Sequence, residues 1–258
     1  MKRILFLSLI TAGLLAASLF VSAPRSKAMP AVCTPTGFFR DSMQMTAALY
    51  NPPGTVTGTV DATGCNIGVY YGPGVTGNID SADIFGANYF GVVNREGNVT
   101  ITDSNIHNIG ETPFNGAQHG VAVYYATVTF DSNCDTAGTT LGTIEGNTIS
   151  NYQKGGITVN CSGTNATVTD NSVTGLGRVN YIAQNGIQFG FGSSGIARGN
   201  TISDNFYTGT AGVGPNPGGQ NPPGWQYASA GLLLYQPGDV KRSNNKYSGN
   251  QQNLLMVP

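Results

Sequence analysis

Short runs in which polar and apolar residues alternate fill this chain, among them Thr100-Ile101-Thr102, Thr167-Val168-Thr169 and Gly156-Ile157-Thr158-Val159. A period of two predicts strands, and residues 29–258 hold no segment with a convincing helical period. The runs recur in two settings. One is an element of the form Asn-Thr-Ile: Ser104-Asn105-Ile106, Asn147-Thr148-Ile149, Asn171-Ser172-Val173, Asn200-Thr201-Ile202 and Asn245-Lys246-Tyr247, with Ala82-Asp83-Ile84 a looser copy. The other is a glycine or asparagine followed by an apolar run, as in Gly91-Val92-Val93, Gly120-Val121-Ala122-Val123, Gly186-Ile187-Gln188-Phe189, Gly231-Leu232-Leu233-Leu234 and Asn253-Leu254-Leu255-Met256.

The apolar anchors of the first element lie 22, 43, 24, 29 and 45 residues apart from Ile84 to Tyr247. Twenty-two to 24 residues accommodate three short strands and three turns, and the longer spacings are the same unit with insertions. Such a unit is too small to bury its own apolar face, so copies must stack. Strand over strand, that predicts an all-β fold: a right-handed parallel β-helix of about seven coils, each about 4.8 Å above the last. Asn147, Asn171, Asn200 and Asn245 then share one turn position, with Ser104 in an earlier coil. Asparagine tolerates left-handed backbone angles, and its amide can reach the amide above. The expected result is a structural asparagine ladder.

The N-[TS]-[IV] and G-[IV]-x-[VF] repeat with its asparagine column resembles the pectin-lyase-like superfamily of right-handed parallel β-helices, from roughly Val56 to Met256. The resemblance implies the fold. Activity within such a superfamily varies, from polysaccharide lyases and glycoside hydrolases to adhesins. Its polygalacturonase-like members carry N-T-D, D-D, G-H-G and R-I-K motifs. The nearest matches here are Gln118-His119-Gly120 and Thr169-Asp170-Asn171, with neither D-D nor R-I-K. The lyase-like members hold calcium with clustered acids and use an arginine or lysine as base.

The first 28 residues stand apart. Lys2-Arg3 precede an apolar stretch from Ile4 to Val21, followed by small residues, which is the order of a secretory signal. Cleavage is expected after Ala28, and left uncleaved the stretch is long enough to anchor in a membrane. The predicted organisation is a signal over 1–28, an N-terminal cap segment over 29–55 and the β-helix over 56–258, in a secreted or cell-surface protein. Four of the twelve Lys and Arg (Lys2, Arg3, Arg25 and Lys27) lie in the leader, leaving 8 basic against 13 acidic residues, a net charge of −5. A surface so poor in basic residues argues against a nucleic-acid partner. All four cysteines follow the leader, and an oxidising compartment suggests disulfides. The repeat register favours Cys33–Cys65 and Cys134–Cys161, since each pair then joins neighbouring turns.

The insertions indicate where chemistry belongs. The next strand normally begins 8 residues after the Asn-element anchor, but the distance is 15 from Ile106 to Val121, 14 from Val173 to Ile187 and 30 from Ile202 to Leu232. All three enlarged loops leave the same corner, with the short coil of Ile149 between them as the floor of a predicted cleft. One wall offers Glu111, Gln118 and His119, and the floor Tyr152, Gln153 and Lys154. The other wall offers Arg178, Tyr181, Gln184, Tyr207, Trp225 and Tyr227. Aromatic faces stack on sugars, amides bond hydroxyls and cations meet uronate carboxylates, so an acidic extracellular polysaccharide is the expected partner of a monomeric protein. For β-elimination, Lys154 or Arg178 would be the base and His119 or Glu111 the acid. Hydrolysis needs two carboxylates, and only Glu111 is so placed. Asp103, Glu145 and Asp170 flank the asparagine turn. Turn chemistry accounts for them first, and a calcium ion bound by their oxygens is the second reading. The competing class is a non-catalytic adhesive or structural surface protein.

Overall fold

A computed structural model describes residues 32–209 and 228–258. Strands β1 (Thr34–Arg40) and β2 (Met43–Tyr50) form an antiparallel hairpin. The chain then winds through β3 (Thr55–Asp61), β4 (Ile67–Tyr71) and the long, two-faced β5 (Thr76–Phe85). Coils of three strands follow. The first holds β6 (Phe90–Arg95), β7 (Asn98–Thr102) and β8 (Asn105–Ile109); the next holds β9 (Val121–Ala126), β10 (Thr140–Glu145) and β11 (Thr148–Tyr152). After them come β12 (Gly155–Asn160), β13 (Thr164–Thr169) and β14 (Ser172–Val179), then β15 (Asn185–Gly190), β16 (Ser194–Arg198) and β17 (Thr201–Tyr207). The last strands are β18 (Ala230–Tyr235), β19 (Val240–Ser243), β20 (Lys246–Ser248) and β21 (Gln252–Val257).

Stacking produces three faces of a right-handed parallel β-helix. Face A runs β1-β2-β4-β6-β9-β12-β15-β18-β21. Face B carries β7, β10, β13, β16 and β19, and face C carries β8, β11, β14, β17 and β20, the two being joined through β5. The anchors aligned from sequence are the register itself. Ile84 pairs with Ile106, Ile106 with Ile149, Ile149 with Val173, Val173 with Ile202 and Ile202 with Tyr247. Ile79, Ile101, Ile144, Val168 and Ala197 fill the matching column of face B, and these side chains form one continuous core.

One coil departs from the sequence alignment. Val123, not Val121, pairs with Val92 and Ile157, so Ala122 occupies the column that holds Gly68, Gly91, Gly156, Gly186 and Gly231 elsewhere. The reason is steric: a Cβ on Gly91 would stand 2.5 Å from the Ala122 carbonyl and 2.7 Å from an Ile106 methyl. Only glycine or the smallest side chain fits there, and the Gly120-Val121 pair imitates the motif two residues early.

At the corner between faces B and C the asparagine column is buried. Its geometry repeats from rung to rung. The backbone N–H and Nδ2 of Asn147 both donate to Oδ1 of Asn171 at 3.0 Å; Asn171 donates likewise to Asn200, and Asn200 to Asn245. Each Nδ2 also reaches a carbonyl of the coil before, Ile101 for Asn147 and Ile144 for Asn171. Ser104 begins the ladder, its N–H donating to Asn147 Oδ1 and its Oγ accepting from the Ala82 N–H. Buried corner backbone left without such partners would lose stability at every coil. At the A–B corner a shorter hydroxyl ladder joins Thr140, Thr127 and Thr164, each step 2.9 Å.

The disulfides pair Cys33 with Cys65 and Cys134 with Cys161, as the repeat register favours. The first ties the N-terminal hairpin to the corner before β4. The second ties residues 127–139, an insertion at the A–B corner, to the next coil.

Truncating one rung of the ladder tests its role. Asn171→Ala removes the acceptor of two Asn147 donors together with two donors of its own, and about 3 kcal/mol of unfolding free energy should be lost. Ser172→Ala, on the exposed side of the same turn, should change stability by less than about 0.5 kcal/mol. Urea unfolding followed by circular dichroism measures both.

Candidate functional site

The three enlarged connections do leave one corner, between faces C and A: β8 to β9, β14 to β15 and β17 to β18. The short Tyr152–Gly155 connection lies between the first two. The Gln153 N–H donates to Ile109 O and the Lys154 N–H to Gly120 O, while Asn185 N–H donates to Lys154 O on the other side. Part of the expected second wall is strand instead. β14 runs on to Val179 and pairs through a bulge with β17, leaving only a brief turn over 180–184.

Several residues expected in the cleft belong to the scaffold. Tyr152 is fully buried in the core, and its hydroxyl donates to Asn205 Oδ1 at 2.7 Å. Gln184 is fully buried as well. Its Nε2 donates to the carbonyls of Tyr152 and Gln153, and its Oε1 accepts from the Leu176 N–H. Gln153 is equally buried: its Oε1 accepts from the Glu111 and Asn115 N–H groups at 3.1 Å, and its Nε2 donates to the Ala117 carbonyl at 2.8 Å. Farther along, Gln251 Oε1 accepts from Ser229 N–H at 2.9 Å and Tyr207 N–H at 3.3 Å. Three glutamines along one corner thus fasten connecting backbone, because backbone diverted from the ladder still needs partners. Tyr207 is buried too, so it offers no ring to a ligand.

Arg178 is placed elsewhere. Its guanidinium lies 4.0 Å over the Phe206 ring, beside it on face C. Asp103, Glu145 and Asp170 are exposed and do not converge: among the described residues no group of three or more acidic, histidine or cysteine side chains could hold a metal. Asp103 and Asp170 have φ of +46° and +57°, the left-handed turn conformation that explains their residue type. Gln118 is exposed and Tyr181 half-buried. Trp225 and Tyr227 lie outside the described residues.

Two features do face outward at this corner. His119 Nε2 lies 2.6 Å from Glu111 Oε1, and its ring stacks on Tyr89 at 3.8 Å between centroids. One rung on, Lys154 is half-buried, and its ammonium donates to Ala183 O at 2.8 Å. Burial alone pushes its pKa down to about 8. That amine stands at the side of a groove of about 490 Å³ on the outer surface of face A, lined further by Asn185, Gln188, Phe191, Leu233, Tyr235 and Gln252.

The groove was hidden in the outward column of the repeat. Register places Tyr70, Val93, Tyr124, Thr158, Gln188, Leu233 and Leu255 in line on the outside of face A. Toward the N-terminus the line is apolar and covered, with Phe38 and Met45 of the hairpin in one cluster with Tyr70, Phe90 and Tyr124. Past Tyr124 the column leaves that cluster: Thr158 and Leu233 stay buried, whereas Gln188 and Leu255 are half-buried. There Gln188 Nε2 donates to Asn160 Oδ1 at 3.0 Å, joining polar groups along the floor. Phe191 and Tyr235 form an aromatic pair with centroids 5.1 Å apart. Phe191 is 47% exposed and has φ of +56°, a conformation costly for a bulky side chain and therefore suggestive of function.

A family model described as the right-handed beta helix region matches residues 92–257, and the chain belongs to that family. No curated protein and no solved structure matches the chain.

Removing the Gln153 amide should release the loop that carries Glu111 and His119 while sparing the coils. Gln153→Ala is expected to admit protease cleavage between residues 111 and 119 under conditions where the parent chain and Thr148→Ala stay intact, as mass mapping of the fragments would reveal.

Proposed function

We propose that this β-helix protein is exported and binds an acidic extracellular polysaccharide in the face A groove. The carrying observation is the groove's composition: one amine, three amides from Asn185, Gln188 and Gln252, and two aromatic rings, Phe191 and Tyr235. Sugar rings have apolar faces that stack on aromatic surfaces and hydroxyl edges that bond amides, and a uronate carboxylate complements the Lys154 ammonium. The apolar charged leader supports export, and two disulfides are compatible with an oxidising compartment.

Binding fits these residues better than cleavage. β-Elimination requires one group to neutralise the sugar carboxylate while another removes the neighbouring proton. Lys154 is the one cation among the described residues lining the groove, and Arg178 is engaged on face C. If Lys154 meets the carboxylate, no second lysine or arginine in the groove serves as base.

The test is a binding screen of acidic and neutral oligosaccharides followed by calorimetry. Acidic chains should bind and neutral ones should not. Lys154→Met should weaken binding by about tenfold or more, the worth of one charge-assisted hydrogen bond. Lys154 carries its charge below its lowered pKa, so affinity should be full under mildly acidic conditions and fall as pH rises through about 8. That fall should be absent in Lys154→Met. Preference for neutral glycans, or an unaltered Lys154→Met, would refute the reading.

A further inference from the structure

The two ends of the solenoid differ from its middle and from each other. In the last rung, among the described residues, β19, β20 and β21 each pair on one side only. Their inward side chains consequently lie open. Leu254 is 39% and Met256 58% exposed, whereas Leu232 and Leu234, one coil earlier in the same columns, are 0% and 2% exposed. Arg242 takes the column filled before it by Ile144, Val168 and Ala197, and its guanidinium reaches across the end to Met256 Sδ at 3.8 Å. Lys241 and Lys246 extend the cationic rim.

At the opposite end, among the described residues, β3 pairs with β5 alone. Ala48, Leu49, Val56 and Val60, with Pro52 and Pro53, line a depression of about 420 Å³ whose rim carries Asp61. The charge follows the axis. From Cys33 to Phe85 the chain holds Asp41, Asp61, Asp80 and Asp83 against Arg40; from Asn185 onward it holds Arg198, Lys241, Arg242 and Lys246 against Asp204 and Asp239. The ends stand several coils apart, beyond a screening length of about 8 Å at physiological salt, so once the basic leader is removed, as the proposed export requires, each presents its own sign to an approaching molecule.

We propose that the cationic C-terminal end of one copy docks on the acidic N-terminal end of a second copy, so that the last rung lies against β3. Like charge opposes contact between two C-terminal ends, and the unmatched shapes of the two ends make the contact heterologous. It does not close on itself, so it propagates into short rods. The proposal departs from the monomer expected from sequence, because the exposed inward residues of the last rung become legible only once the register is known. The groove on face A adjoins this contact, since Gln252, Leu255 and Val257 of β21 line its C-terminal side, while Lys154, Asn185 and Gln188 lie one or more coils away from it.

Sedimentation velocity of the purified protein tests this over a range of concentrations, at about 20 mM and about 500 mM salt, where screening is weak and strong. The expected result is a mass that grows with concentration at low salt and returns to the monomer at high salt. Lys241→Glu with Lys246→Glu should be monomeric at both while keeping the parent's circular dichroism, and adding Asp61→Lys should restore association. A monomer at every concentration in low salt would overturn the proposal. So would association that survives charge reversal, since the contact would then lie elsewhere.

Discussion

From β9 onward each coil turns a corner between faces B and C with its backbone buried, and the asparagine amide is what makes that turn tolerable. One side chain accepts two hydrogen bonds from the rung before it and donates to that coil's carbonyl and to the following amide, as Asn171 does. The apolar columns could slide without such a lock, since Ile, Val and Ile in neighbouring rungs are nearly interchangeable. The ladder admits one register. It fixes which residue of each strand points inward, and so which column of face A points out.

From that register the rest follows. Glycine or Ala122 is confined to the column where coils approach closely, and the insertions are expelled to corners without the ladder. There the polar requirement reappears in another form. Gln153, Gln184 and Gln251 each bring an amide to backbone that has left the regular hydrogen-bonding pattern. The corner that varies most is therefore held by buried amides, and what faces solvent beyond them is Lys154 and the His119–Glu111 pair. Outward residues of face A are relieved of any core duty, so one stretch supports the N-terminal hairpin while the next forms a groove.

The repeat was legible in the sequence wherever side chain and position were tied one to one. The Ile84-to-Tyr247 anchors, the asparagine column, the favoured cysteine pairing and the common corner of the insertions all emerge from spacing. Three things were not legible. Val121 imitated Val123 because the true glycine position holds Ala122. Tyr152 and Gln184 looked like ligand-binding residues because polar side chains near a loop are usually exposed, whereas here the loop backbone itself demands buried partners. Asn185, Gln188, Phe191 and Tyr235 carry no sequence signal of their own because their meaning depends on which side of face A they occupy, and a single strand reveals that only after the ladder sets its register. The variable position within the G-[IV]-x-[VF] run was the available signal: it turns from apolar to polar between Tyr124 and Gln188.

The proposed binding function requires a ligand to sit in the face A groove. Hydrogen–deuterium exchange of the protein with and without an oligomer of galacturonic acid would locate it directly. Added protection concentrated in β12, β15, β18 and β21, with faces B and C unchanged, is the predicted result. Protection confined to residues 110–120 or to face C, or no protection at saturating oligomer, would contradict the account.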